Sequence, residues 1–133
     1  MSNQELKHDP IISSMFITDS NQRIPIMAYE VNTELNVDVH IQFSNFQIDY
    51  THKILFEIFD ENHNKLESFN QTLAIMSNGA ISHDISLASI EGVFSLNMSK
   101  DELQSTNRIT VKATIDENTN IFSSTILQLS YVE

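Results

Sequence analysis

The sequence contains no cysteine among its 133 residues. It therefore cannot form a disulfide, a thiolate metal site or a cysteine nucleophile, and its composition suits a reducing compartment. Tryptophan is also absent, which weakens a role in stacking against carbohydrate rings. The two glycines, Gly79 and Gly92, are isolated, so they make neither a phosphate-binding loop nor the elbow that carries a nucleophilic serine. These absences favour a protein that is not an enzyme.

Basic residues are scarce: 7 lysines and arginines stand against 18 aspartates and glutamates, a formal net charge of -11. An acidic field repels phosphate backbones and anionic lipids, so we expect no nucleic-acid partner and no membrane partner. The acidity favours solubility, with attraction of a basic partner as the alternative. No apolar run approaches the roughly 18 residues of a membrane helix, and residues 1–10 lack the apolar stretch of a secretory signal. We therefore expect a cytoplasmic protein.

Length and apolar content predict one domain. Hydrophobic residues make up 41% of the sequence and are spread along it, which is enough for a core in a single domain of this length. The first residues are polar and end at Pro10. We expect a flexible N-terminal tail over residues 1–10 and a β-sandwich domain over residues 11–133.

Apolar residues recur at every second position through most of that domain, which is the period of a β-strand with one buried face. The clearest run extends from Leu35 to Phe43, and similar runs cover 94–98 and 109–115. The segment 54–59 is nearly apolar on both faces, as in a central strand.

Three further strands are predicted at 11–18, 24–31 and 121–132. Pro25 has no amide hydrogen, so the strand that contains it belongs at a sheet edge. In the last of the three, the apolar register shifts between Phe122 and Leu127, which indicates a bulge.

Turn and capping signals separate these strands. Asn78 followed by Gly79 predicts a hairpin turn. Ser99 and Glu102 have the spacing of a capping box, which predicts at most one short helical turn near residues 99–104. The strands, turns and single crossover predict an all-β fold, a single two-sheet antiparallel β-sandwich of about 7–9 strands. A closed barrel is the alternative, but the uneven connections favour the sandwich.

Several of these segments resemble strands of bacterial immunoglobulin-like β-sandwich domains of unknown function. The segments are Asn36–Phe43, Lys53–Leu66, Gly92–Leu96 and Asn107–Asp116, with a short crossover over 99–103. The resemblance covers residues 35–132 and implies an immunoglobulin-like fold without any particular activity. The chain departs from antibody-type domains because it lacks their paired cysteines and core tryptophan.

The pattern D-E-N-x-N occurs twice, each time directly after a predicted strand. Oxygen atoms at alternate positions are how a loop surrounds a hard cation. A calcium site that combines the two loops is therefore the alternative to their being simple turns, which a glycine-poor chain builds from Asp and Asn. Such a joint site requires both loops to lie at the same end of the sandwich. Its candidate ligands are Asp60, Asn62, Asn64, Asp116, Asn118 and Asn120.

Two other groups of residues are candidates for function. His83 lies in phase with apolar neighbours, which is typical of a hydrogen-bonded core histidine and less often of a ligand or base. Phe46, Ile48 and Tyr50 occupy every second position of the segment that connects two predicted strands. They form either an apolar loop that contacts a partner or an extension of the preceding strand beyond a bulge near Ser44.

The predicted function is a non-catalytic protein-interaction module: an accessory subunit, an adaptor or a small homo-oligomer. Its partner is another protein or a second copy of the chain, and no cofactor is required. The alternative is a calcium- or small-ligand-binding sandwich that uses the D-E-N-x-N loops. An enzyme that uses His83 with a carboxylate ranks third.

Overall fold

Alternating apolar and polar residues form β-strands along most of the chain in the computed structural model. The structure describes Leu6 and residues 9–21, 24–75 and 87–133, with no side-chain description for 87 and 88. Within these residues the elements are β1 (Ile11–Asp19), β2 (Ala28–Val31), β3 (Glu34–Gln47), β4 (His52–Phe59), β5 (Lys65–Leu73), β6 (Leu87–Ser99), α1 (Lys100–Leu103), β7 (Arg108–Ile115) and β8 (Phe122–Tyr131).

The strands form two sheets that pack against each other, which confirms the predicted sandwich. One sheet has three strands in the order β1-β3-β6, and the other has five in the order β2-β8-β7-β4-β5. The described strand pairs are antiparallel except for β2 and β8, which run parallel. The prediction of an antiparallel sandwich was wrong at this one pair.

The parallel pair arises because the chain changes sheets near its beginning. β1 pairs with β3, and Pro25 then bridges back to Thr18. Beyond Pro25 the chain enters the other sheet, where β2 runs alongside β8 in the same direction. β2 is the edge strand of that sheet, as the missing amide hydrogen of Pro25 predicts for this segment, although the regular strand is shorter than expected.

The core lies between the two sheets and consists of the inward residues of each alternating strand. In β3 these are Leu35, Val37, Val39, Ile41 and Phe43, and in β7 they are Ile109, Val111, Ala113 and Ile115, all buried. Phe56 of β4 joins the sheets, since its ring centroid lies 5.0 Å from that of Phe94 in β6. The predicted alternation therefore identifies the core correctly in these two strands.

β3 continues past Phe43 through a bulge. Asn45 has φ of 56°, a left-handed conformation that asparagine tolerates, and the pairing with β6 shifts between Phe43 and Phe46. The bulge returns the next apolar side chains to the core, where Phe46 is fully buried and Ile48 is 4% exposed. The strand-extension alternative is therefore right, and the prediction that Phe46 and Ile48 contact a partner is corrected.

The bulge predicted in the last strand is not found. β7 and β8 pair without interruption from Arg108 opposite Gln128 to Thr114 opposite Phe122. With the register intact, Phe122 and Ile126 lie on the side opposite the buried Leu127. The apolar residues at the start of β8 thus face outward.

The helical turn α1 follows its predicted cap. The Ser99 hydroxyl accepts from the amide of Glu102, and the Glu102 carboxylate accepts from the amide of Ser99, which completes the capping box. The Asn78-Gly79 turn, His83 and most of the predicted tail lie outside the described residues. No helix in the described ranges is long and apolar enough to cross a membrane.

Candidate functional site

The first D-E-N-x-N loop is a self-contained turn. The Asp60 carboxylate accepts hydrogen bonds from the backbone amides of Asn64 at 2.8 Å and Asn62 at 2.9 Å, and from the Asn64 side chain at 3.3 Å. These bonds, the Asn64 amide first among them, hold the pKa of Asp60 below its ordinary value. Both carboxylate oxygens of Asp60, which were predicted to bind a cation, therefore accept hydrogen bonds inside the turn.

The second loop is tied to the core through Asp116. One carboxylate oxygen accepts from Nδ1 of His52 at 2.7 Å, and the other accepts from the Lys53 amide at 2.9 Å. The His52 side chain is fully buried and that of Asp116 is 7% exposed. In the rest of the loop, the Asn118 side chain accepts from the Asn120 amide. Asp116 therefore anchors a turn rather than presenting free oxygens to solvent.

The two loops lie at opposite ends of the five-stranded sheet. Asp116 contacts Lys53 at the start of β4, whereas Asp60 directly follows the end of β4. The length of β4 separates them by about 23 Å. The condition for a joint calcium site is therefore not met, since Asp60, Asn62 and Asn64 are not brought together with Asp116, Asn118 and Asn120. Over the described ranges, no three His, Asp or Glu side chains are grouped to hold a metal ion.

Tyr50 is the third of the predicted contact residues, and it packs at the edge of the His52 ring with centroids 4.8 Å apart. Burial, followed by the negative charge of Asp116, raises the pKa of its hydroxyl. Tyr50 is half-buried and lines a depression of about 120 Å³ together with Lys53, Asp116 and Glu117. Ligand pockets are commonly at least about 300 Å³, so this depression holds no more than a very small molecule.

A chain of hydrogen bonds on the outer face of the three-stranded sheet has the order of a catalytic triad. His40 Nε2 lies 2.8 Å from the Thr18 hydroxyl, and His40 Nδ1 lies 2.9 Å from a Glu91 carboxylate oxygen. The Phe16 ring stacks on His40 at 4.8 Å. Thr18, however, is fully buried, so a substrate cannot reach its oxygen. The arrangement satisfies buried polar atoms.

The outer face of the five-stranded sheet carries two of the large apolar side chains that are exposed in the described structure, while others, such as Met27 and Val93, lie elsewhere on the surface. Phe122 is 53% exposed and Ile126 is 51% exposed. Leu55 and Phe59, at outward positions of β4, are partly exposed. Two strands of one regular sheet therefore present apolar side chains to solvent at positions that polar residues could occupy.

The same face collects most of the basic residues. Five lysines and arginines lie in the described ranges, and all except Lys100 occupy outward positions of β4, β5 or β7. We call this surface the basic face and define it by Lys53, Leu55, Phe59, Lys65, Arg108, Lys112, Phe122 and Ile126.

The charges of the basic face are only partly neutralised. Lys65 forms an ion pair of 2.9 Å with Glu57. Lys112 is directly across from Glu57 in the strand register, but its ammonium lies 4.7 Å above the Phe122 ring instead. The Nε atom of Arg108 is buried and lacks a hydrogen-bond partner in the described structure. Cations and apolar side chains thus stand side by side on this surface.

Sequence reasoning missed the basic face. Two features of the sequence could have indicated it. Thr110 and Lys112 alternate with the core residues of β7 and so must face outward, and apolar residues follow in β8. The change of apolar register between Phe122 and Leu127 was interpreted as a bulge, so the outward position of Phe122 was not recognised. Its true position depends on the uninterrupted pairing with β7.

No protein-family model matches the chain, and no curated protein matches its sequence. Solved structures do resemble it. Two crystal forms of a bacterial adhesin from Mobiluncus mulieris, which contains intramolecular disulfide, isopeptide and ester bond cross-links, align with TM-scores of 0.56 and 0.57. Identity is 12% and 11%, and each alignment covers 89% of this chain. The chain spans about half of the adhesin structures, 49% in both cases. At this identity, the likeness shows a shared β-sandwich fold.

Proposed function

We propose that this chain is a non-catalytic protein-binding domain and that the basic face is its binding surface. The fold is shared with domains of a bacterial adhesin, a protein named for attachment. This likeness supports a binding role. The distribution of side chains on the chain's own surface carries the proposal.

The observation that carries it is the exposure of Phe122 and Ile126 on the basic face. Burying apolar surface contributes about 25 cal/mol per Å² of favourable free energy. Phe122 and Ile126 do not gain this free energy while they face solvent, but they would gain it when a partner covers them. Exposed apolar residues concentrated on one face mark interaction sites more often than scattered single ones do. Aromatic and arginine side chains, such as Phe122 and Arg108, are also enriched in protein interfaces.

The polar constellations in the described structure favour binding over catalysis. His52 is enclosed between Asp116 and the backbone oxygen of Gln47. The His40 chain ends on the buried Thr18 hydroxyl. Both histidines are therefore engaged in internal hydrogen bonds in the described structure, and the one hydroxyl that His40 contacts is buried. Their role in this proposal is to stabilise the sandwich.

The test is affinity capture from a native lysate of the source cells with three baits. The first is the unchanged chain, and the second carries Phe122→Thr and Ile126→Thr, which keep strand propensity but remove the apolar surface. The third carries Val93→Thr, a matched change at a side chain that is 53% exposed on the opposite sheet. Circular dichroism and melting temperature confirm that the three baits are folded.

We expect at least one protein to be recovered in stoichiometric amount on the unchanged and Val93→Thr baits and about tenfold less on the double variant, which corresponds to about 1.4 kcal/mol of binding free energy. Equal recovery on all three baits, or recovery of no protein by any of them, contradicts the proposal.

A further inference from the structure

We infer that the partner of the basic face presents carboxylates interleaved with apolar side chains, so that this acidic protein recognises another acidic surface. The inference rests on the proposed function and adds the chemistry of the partner to it. It reverses the expectation from net charge alone, by which an acidic chain attracts a basic partner.

The first step is the asymmetry of charge between the two sides of the sandwich. On the outer face of the three-stranded sheet, the charged residues described in β3 and β6 are Glu34, Asp38 and Glu91, with no lysine or arginine among them. The outer face of the five-stranded sheet carries four cations, Lys53, Lys65, Arg108 and Lys112, against two carboxylates, Glu57 of β4 and Glu30 of the edge strand β2. The local sign of a surface steers the approach of a partner more than a distant charge of opposite sign, because salt screens interactions beyond about 8 Å at physiological ionic strength.

The second step is that three of the four cations of the basic face form no ion pair in the described structure. Glu57 pairs with Lys65, which leaves Lys112, Arg108 and Lys53 without an ion pair in the described structure. The Phe122 ring holds the Lys112 ammonium beside apolar surface. When a partner covers this surface, water is excluded from around the Lys112 ammonium. Its attraction to the Phe122 ring and to a carboxylate of the partner then becomes stronger, because the local dielectric constant falls.

The third step is spacing. Arg108 and Lys112 lie four residues apart on the same side of β7, and Phe122 and Ile126 lie four apart on the same side of β8. Each pair spans about 13 Å. In a partner strand, two acidic residues four positions apart are separated by the same distance of about 13 Å and can meet Arg108 and Lys112. An apolar residue between them can contact the apolar side chains of the face. The basic face therefore fits an extended acidic and apolar segment, or a sheet with that pattern on its surface.

Two other occupants fit less well. Nucleic-acid phosphates would meet three unpaired cations on a chain of net charge -11, and binding of nucleic acid depends on neutralising many phosphates. A second copy that docks through the same face would set Lys112 and Arg108 against their own equivalents, and like charges across an interface oppose association. Both occupants are outcomes of the test below.

The test is selection of peptide ligands from a phage library of random segments of about 16 residues, long enough to extend along a whole strand. The folded chain is the target. Phages that also bind the Phe122→Thr, Ile126→Thr double variant are removed before sequencing. Retained peptides are then measured against the unchanged chain, Lys112→Glu, and Lys100→Glu as the matched control, since Lys100 is exposed in α1 and outside the basic face.

We expect Asp and Glu to be enriched about threefold over the starting library, and we expect the selected peptides to bind Lys112→Glu about tenfold more weakly and Lys100→Glu unchanged. Peptides that depend on the face but show no acidic enrichment, or enrichment in Lys and Arg, overturn the inference and leave the proposed function standing. If no peptide survives the counter-selection, the proposed function fails as well.

Two companion measurements use the unchanged chain alone. A 20-nucleotide oligothymidylate is titrated against it, and its mass is followed by sedimentation over a concentration series. We expect neither binding nor dimerisation. Oligothymidylate binding that Lys112→Glu abolishes, or a dimer that the double variant abolishes, overturns the acidic protein partner in favour of nucleic acid or of a second copy.

Discussion

His52 and Asp116 form a buried hydrogen-bonded pair that joins two connections of the fold. His52 begins β4, directly after the turn that follows β3, and Asp116 begins the turn between β7 and β8. Their side chains meet at 2.7 Å, and the second ring nitrogen of His52 lies 3.3 Å from the backbone oxygen of Gln47. Removing one carboxylate oxygen leaves the His52 ring or the Lys53 amide without its acceptor, which is the costly case for buried polar groups.

We expect Asp116→Asn to lower the free energy of unfolding by about 2 kcal/mol, because its single side-chain oxygen cannot replace both carboxylate oxygens as acceptors. Asparagine tolerates the left-handed backbone at this position, where φ is 54°, so the loss reports on the carboxylate. Glu117→Gln is the matched control at the exposed neighbour and is expected to change stability by less than about 0.5 kcal/mol. Equal denaturant midpoints for the two variants would show that the buried pair does not stabilise the fold.

The Asp60 turn makes a prediction about pH. Hydrogen bonds from the Asn64 amide and its neighbours favour the charged carboxylate, so the folded pKa lies below the ordinary value of 3.8. A lowered folded pKa means that the stabilisation is complete above 3.8 and is lost as the pH falls through the folded value. We expect a carbon-detected NMR titration to give a midpoint below 3.8 for Asp60 and a higher one after Asn64→Ala. A midpoint at or above 3.8 in the unchanged chain contradicts the turn geometry.

At the scale of strands, the period-two pattern predicted β3, β4 and β7 because one face of each is consistently buried. The pattern was less informative where a strand changes face. After Ser44, the choice between an exposed loop and a bulged strand depended on whether β6 continued alongside β3, which is a property of pairing. In β8 the same kind of ambiguity was resolved wrongly, because an apolar residue on an outward position looks like a shifted register.

Two phenylalanines test this assignment of faces. Phe46→Ala removes a fully buried ring that lies 3.9 Å from the His52 ring, centroid to centroid. We expect it to cost about 3–5 kcal/mol of stability. Phe122→Ala removes a ring that is 53% exposed, and we expect a loss below about 1 kcal/mol. Similar losses in urea unfolding for both variants would mean that the two rings have been assigned to the wrong sides of their sheets.

At the scale of the whole molecule, the sequence predicted the sandwich but not the arrangement of its loops and charges. The D-E-N-x-N loops follow β4 and β7, which are hydrogen-bonded antiparallel neighbours, so their tips lie at opposite ends. The predicted joint calcium site required both loops to lie at the same end of the sandwich. Which end each loop occupies follows from the direction in which β4 and β7 pair, and the sequence does not provide that pairing. Net charge likewise describes the whole chain, whereas the basic face exists because sheet pairing places Lys112, Lys65 and Lys53 on one surface.

The central claim is that a partner covers the basic face, and lysine footprinting tests it most directly. The chain is treated with an amine-reactive ester, once as a purified protein and once in native extract, and modification is quantified at Lys112 and Lys100 by mass spectrometry. Both lysines lie in described elements, but only Lys112 belongs to the basic face. We predict that the reactivity of Lys112 falls about fivefold or more in extract, as expected on burial in an interface, while that of Lys100 is unchanged. Equal reactivity of Lys112 in the two samples would contradict the claim.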